Sequence, residues 1–139
     1  MSYQRLIQVE FNHCDPAGIV FYPRYFEMTN SVIENFFAER LGRSFAQITL
    51  RDKGGVPTVR INADFRAPSH LGDVLEFTLK VGHIGRTSAE LLLTAAAGPE
   101  VRIEVYLTLV WITPDGRAAP WPEDVRNALA AEMNEGNRP

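Results

Sequence analysis

The sequence predicts an α+β fold, in which one long amphipathic helix covers a curved, largely antiparallel sheet of about five strands. Three observations carry this prediction. Five segments alternate apolar and polar residues with the two-residue period of a half-buried strand, and one stretch switches to the 3.6-residue period of a helix. The connections between the last four strand segments are too short for helical crossovers. With 139 residues, 45% of them hydrophobic and 22% charged, the chain has material for one packed core, so residues 1–139 are expected to form a single domain.

The first strand is expected over Tyr3 to Asn12, with Ile7, Val9 and Phe11 on one side and Gln8, Glu10 and Asn12 on the other. His13-Cys14-Asp15-Pro16-Ala17-Gly18 follows. Pro16 lacks an N–H and Gly18 tolerates positive φ, so the chain bends here. The helix is expected to begin near Tyr22, with Pro23 at its first position, where a missing N–H is no loss. Tyr22, Tyr25, Phe26, Thr29, Val32, Ile33, Phe36 and Phe37 fall on its buried stripe, opposite Arg24, Glu27, Ser31, Glu34, Asn35 and Ala38. Running to about Leu41 and stopped by Gly42, it would be ~30 Å long.

From Arg43 to Gly55 the pattern is lost, apart from a short helical turn near Phe45 to Leu50. Four strands are then expected over Val56 to Arg66, Val74 to His83, Thr87 to Ala97 and Val101 to Thr113. In the first of these Val59, Ile61, Ala63 and Phe65 form the buried face. Pro68 to Asp73, Gly82 to Arg86 and Gly98-Pro99 are connections that favour antiparallel neighbours. Thr113-Pro114-Asp115-Gly116 is a turn, and Pro122 opens a C-terminal helix through Met133 before a tail, Gly136 to Pro139, that is expected to fray. A single long helix cannot protect the edges of such a sheet. Self-association through an edge strand is expected, giving a homodimer or, by further pairing, a homotetramer.

Composition narrows the function classes. A formal net charge of −3 gives no basic field for nucleic acid. No run approaches the ~18 apolar residues of a membrane span, and the N-terminus lacks the apolar core of a leader, so a cytoplasmic location without a membrane partner is expected. Cys14 is the only cysteine, which excludes an internal disulfide and a cysteine metal cage. His13, His70 and His83 show no i, i+4 spacing, and Gly-rich nucleotide and Ser-centred hydrolase motifs are absent; no metal and no cofactor are expected.

The informative stretch is Phe11-Asn12-His13-Cys14-Asp15-Pro16-Ala17-Gly18-Ile19-Val20-Phe21-Tyr22-Pro23-Arg24-Tyr25. It resembles the 4-hydroxybenzoyl-coenzyme A thioesterase family of hotdog proteins, whose signature is a D-P-A-G-I-V-x-Y-P-x-Y block between the first strand and the central helix. The resemblance implies a hotdog fold and hydrolysis of an aryl or short-to-medium-chain acyl-coenzyme A to the free acid and coenzyme A. It places Asp15 on the catalytic carboxylate. An ordinary aspartate, with a pKa of about 3.9, is ionised at neutral pH and can attack a thioester directly or assist water. Read by itself, Asp15 before Pro16 also suits an Asx-turn.

The start of the long helix offers unpaired N–H groups and a partial positive charge, and Tyr22 has no short side-chain oxygen to cap them. The resemblance assigns the Tyr22 backbone N–H to the substrate carbonyl; one such donor is worth about 3 kcal/mol in a dry site. By the same resemblance, Asn30 stands where a member preferring hydroxylated aryl groups has an Asp, and Arg86 and Ser88 stand where the nucleotide phosphates are held. An Arg fork and a hydroxyl suit phosphate, although Gly85-Arg86-Thr87-Ser88 also describes an exposed hairpin turn. Two competing readings are a dehydratase, for which His13 is the nearest candidate base, and a non-catalytic acyl-ligand binding module.

Overall fold

The computed structural model describes residues 2–136. Its elements run β1 (Tyr3–Gln8), α1 (Arg24–Arg40), β2 (Thr58–Phe65), β3 (Val74–Ile84), β4 (Ser88–Ala97), β5 (Glu100–Val110) and α2 (Glu123–Gly136), with short helical turns at Phe11–His13 and Gln47–Arg51. The strands form one sheet in the order β1-β3-β4-β5-β2, with every neighbouring pair antiparallel. This is the α+β architecture the sequence predicts. No helix among the described residues is long and apolar enough to cross a membrane.

The core follows from the two periodicities. Tyr25, Met28, Thr29, Val32, Ile33, Phe36 and Phe37 of α1 are buried. They share the core with alternate residues of the central strands, among them Leu75, Phe77 and Leu79 of β3, Leu91 and Leu93 of β4, and Ile103 and Val105 of β5. Each such side chain contributes roughly 1.5–3 kcal/mol of burial free energy. Gly42 takes a left-handed φ of 73° just past α1, which lets Arg43 N–H turn back to Phe37 O at 3.1 Å and close the helix. Val125 and Leu129 on the inner side of α2 are buried, as is Trp121 just before it. Arg40–Glu132 and Arg43–Asp124 ion pairs, both 3.0 Å, tie α2 to the C-terminal end of α1.

Several expectations are corrected. β1 stops at Gln8, and Phe11, expected on its buried side, is 83% exposed on a tight turn. The reason is local: His13 Nδ1 accepts the Glu10 N–H at 2.9 Å and curls the chain away from the sheet. The helix begins at Arg24 and not at Tyr22, because Arg24, Tyr25 and Phe26 donate to carbonyls three residues back in a tighter first turn. Tyr22 accordingly leaves the buried stripe, and Met28 joins it. β5 ends at Val110, although Trp111 beyond it is buried. α2 continues past Met133 to Gly136, since nothing in between breaks it, so Gly136 is helical; the remainder of the expected tail, 137–139, lies outside the described residues.

Two corrections bear on function. The 66–73 connection does not join neighbours: β2 is an edge strand beside β5, while β3 lies between β1 and β4. Eight residues can span roughly 26 Å, enough to cross one end of the sheet. The apolar side of β2 is also not buried. Ile61, Ala63 and Phe65 lie opposite Leu107, Val105 and Ile103 and so point to the core side, yet Val59, Ile61 and Phe65 are 44–59% exposed. An edge strand has a neighbour on one side only, and the first turn of α1 meets it only at Phe65, through Tyr25 and Phe26, among the described residues.

Candidate active site

Residues 13–21 form a small closed loop at the end of the sheet where β1 stops and β3 starts. Asp15 N–H donates to Ile19 O, Gly18 N–H to Asp15 O and Phe21 N–H to His13 O, at 2.9–3.0 Å. Gly18, at φ 79°, makes the reversal possible. The Asx-turn is present, with Ala17 N–H donating to Asp15 Oδ1 at 2.9 Å. It occupies one carboxylate oxygen and fixes the side chain. Asp15 Oδ2 receives no hydrogen bond among the described residues, and the residue is half-buried. The structural and chemical readings of Asp15 are therefore compatible, one oxygen serving each.

Phe21 N–H, bonded to His13, ties this loop to the helix start. Among the described residues Tyr22 N–H has no backbone acceptor, Pro23 has no N–H, and the next three donors are taken. One free N–H thus stands at the positive end of α1, close in sequence and in space to the Asp15 loop. The Tyr22 ring is 58% exposed and packs edge-on against Phe21 (5.7 Å between centroids) and Phe65 (5.9 Å). Phe26 also meets Phe65, at 6.2 Å. An open aromatic wall from α1 and β2 flanks the helix N-terminus.

The other expected residues lie apart. Asn30 is exposed on the outward side of α1. Arg86 and Ser88 sit at the β3–β4 turn, at the far end of β3; eleven residues of strand correspond to roughly 35 Å. One chain does not bring Arg86 and Ser88 to Asp15. That turn is tightly made, with Gly85 N–H donating to Ser88 O at 2.8 Å and Ser88 Oγ filling the space a Cβ on residue 85 would need. It is gripped by the C-terminal segment: Trp121 Nε1–H donates to Ser88 O at 2.9 Å, and Arg126 Nη1 to Gly85 O at 2.9 Å. Arg126 therefore puts a second guanidinium beside Arg86. Its sequence gave no signal, because an Arg on an amphipathic helix reads as solvated until the packing of α2 is known.

His13 engages Nδ1 with its own turn, which leaves only Nε2 for chemistry. Glu27 is held on the surface by Arg24 at 3.0 Å. A polar cleft of about 430 Å³ between β1 and α1, with Arg5, Glu10, His13 and Glu27 on its walls, and one of about 540 Å³ beside Arg60, Lys80 and Tyr106 are lined by neither Asp15 nor Tyr22.

The sequence model of the thioesterase-like superfamily matches residues 9–129. A 70-residue stretch is 36% identical to the 4-hydroxybenzoyl-CoA thioesterase of Pseudomonas sp. (strain CBS-3), covering 49% of each chain. The chain thus spans about half the length of that curated relative in the match. Among solved structures, a 1,4-dihydroxy-2-naphthoyl-CoA thioesterase from Synechocystis superimposes with a TM-score of 0.85 at 21% identity, over 94% of this chain and 96% of that one. A gentisyl-coenzyme A thioesterase superimposes with a TM-score of 0.82 at 26% identity, over 89% and 99%. The fold is that of the hotdog thioesterases.

Proposed function

The chain belongs to the thioesterase-like superfamily, and from that premise we propose that it hydrolyses an acyl-coenzyme A thioester, with Asp15 as the reacting carboxylate. The observation that carries this reading is the pairing of a fixed carboxylate, one oxygen free, with the unpartnered Tyr22 N–H at the start of α1. The N–H polarises the thioester carbonyl and stabilises the charge that develops on its oxygen. Asp15 then acts by one of two routes. As nucleophile it adds to the carbonyl carbon and expels coenzyme A as thiolate, and water cleaves the resulting anhydride to free acid and Asp15. As base it takes a proton from the water that attacks.

The acyl group we favour is aryl. The ring wall of exposed Phe21, Tyr22 and Phe65 with half-buried Phe26 offers edge and face contacts to a planar group, and the similar proteins named above act on aromatic acyl-coenzyme A substrates. Asn30, a neutral amide, would contact the far end of the acyl group. Arg86, Arg126 and Ser88 would hold the nucleotide phosphates.

These two halves lie at opposite ends of one protomer, so we propose that a second copy joins them. The unpaired edge and exposed apolar side of β2 suit antiparallel pairing with β2 of a second chain. Phe65 marks the Asp15 end of the strand through its Tyr22 contact. Thr58 marks the other end, level with Leu109, whose neighbour Val110 pairs with Ser88. Antiparallel pairing sets the Phe65 end of each strand beside the Thr58 end of its partner, and brings each Asp15 toward the other chain's phosphate-binding turn.

The test is free-thiol release from benzoyl, hydroxybenzoyl, phenylacetyl and straight-chain acyl-coenzyme A, comparing wild type with Asp15→Asn. Turnover of an aryl substrate that collapses in the variant is the expected result. Wild-type inactivity across the panel, or full activity in the variant, would overturn the assignment.

A further inference from the structure

We propose that Arg102, on β5 and outside the reacting site, is a positioning residue for Asp15, acting through the 66–73 connection. This rests on the reading of Asp15 as the reacting carboxylate. Arg102 is an unusual arginine, with a side chain only 12% exposed. Its main-chain oxygen accepts Arg66 N–H at 2.9 Å and Ala67 N–H at 3.3 Å. Its guanidinium Nη1 donates to Pro68 O at 3.0 Å and to Asp73 Oδ2 at 2.8 Å. Glu100 lies 2.7 Å from Nε but off the N–H axis, adding charge without an aligned hydrogen bond. One residue thus holds both ends of the connection. Asp73 Oδ2 also accepts His70 N–H at 2.9 Å, which closes the turn upon itself.

What that turn supports is the Asp15 loop. The backbone hydrogen bonds within residues 13–21 close the loop but do not fasten it to the sheet. The fastening comes from Val20 N–H to Ser69 O at 2.9 Å and Leu71 N–H to Gly18 O at 3.0 Å, around the Ile19–His70 bridge. A second anchor reaches the turn from the helix: Tyr25 OH donates to Ser69 Oγ at 2.9 Å, with both residues buried. The turn is therefore a common floor under the carboxylate and under the first turn of α1, whose start carries the Tyr22 N–H. Residues 68–71 thus set the spacing of those two groups together with the Phe21 N–H to His13 O bond. Displacement of a reacting group by about 1 Å costs up to about a hundredfold in rate. The phosphate-binding turn at 85–88 lies at the other end of β3, so loss of the Arg102 anchor should act on kcat and spare KM.

The experiment compares wild type, Arg102→Met, Arg102→Lys and Tyr25→Phe as full chains, well below each unfolding midpoint. Arg102→Met should lose about ten- to a hundredfold in kcat with KM within about twofold. Arg102→Lys, whose ammonium can also donate to Pro68 O and Asp73, should recover most of that loss. Tyr25→Phe, which leaves the charged pair intact, should lose kcat by a smaller factor. Independently of activity, hydrogen exchange at the Val20 and Leu71 amides should quicken in Arg102→Met while the β3–β4 ladder keeps its protection. Unchanged exchange at those two amides, wild-type kcat in Arg102→Met, or a Lys variant as slow as Met would overturn the proposal. Should Arg102→Met fail to fold, wild-type kcat in Tyr25→Phe would overturn it. An inactive wild type, or an active Asp15→Asn, would instead remove the functional reading, and the exchange measurement would still decide whether Arg102 fixes the loop.

Discussion

At Asp15 the two oxygens of one carboxyl group have different surroundings. Oδ1 is bound by Ala17 N–H and shapes the turn, while Oδ2 carries no hydrogen bond among the described residues, which is what the proposed chemistry requires. Asp15→Asn keeps an oxygen for the turn and removes the charge, so its unfolding free energy from urea titration should stay within about 0.5 kcal/mol of wild type. Its kcat should nonetheless fall by about 10²–10⁴, the range of a lost positioned base or nucleophile. A variant that lost stability in step with rate would point to a purely structural Asp15. The turn that carries Asp15 was legible in the sequence because its motif is contiguous: the Asp, the turn-forming Pro16 and Gly18 and the helix start lie within a dozen positions. Arg102 and Arg126 were not, because each acts on a turn that is 29 or more residues away in the chain, and no local pattern records which turn a distant guanidinium meets.

Among the elements, the 66–73 connection is one whose behaviour should depend on pH. Asp73 is held below the usual carboxylate range, first by the His70 backbone N–H and then by the Arg102 guanidinium. A carboxylate depressed in the folded state contributes stability that is present above its unfolded pKa of about 3.9 and is lost as pH falls through the folded value. Urea midpoints should therefore hold steady from neutrality down to about pH 5 and decline below about pH 4, and Asp73→Asn should show a shallower decline. An identical decline in the variant would assign the acid sensitivity to other groups. The helices and strands were readable from periodicity, but the sheet order was not. The alternation in β2 correctly gave a strand with an apolar side; only its edge position explains why that side is open, and edge position is decided by pairing partners that a local pattern does not contain.

The whole molecule carries one arrangement that can be tested by mixing. If each site takes Asp15 from one chain and the phosphate-binding turn from the other, Asp15→Asn and Arg86→Ala homodimers should each be weak. Subunit exchange between them should then restore about a quarter of wild-type activity, since half the dimers are mixed and half their sites are intact. No recovery after exchange confirmed by mass spectrometry would place both halves of the site within one chain. The sheet order has a further consequence, for the path by which the chain acquires its shape. β3, β4 and β5 are joined by short turns and pair with their neighbours in sequence, whereas β1 and β2 each pair with residues at least 38 positions away. Closing the long segments is the entropically slower event, so the three-stranded meander should form early and the outer strands dock late. The loop bearing Asp15 lacks its anchorage to residues 69–71 until that docking is done. In refolding from urea, the sheet signal in circular dichroism should rise first and thiol release should follow with a lag. Simultaneous recovery would mean that the chain gains its framework and its reactive corner in one step.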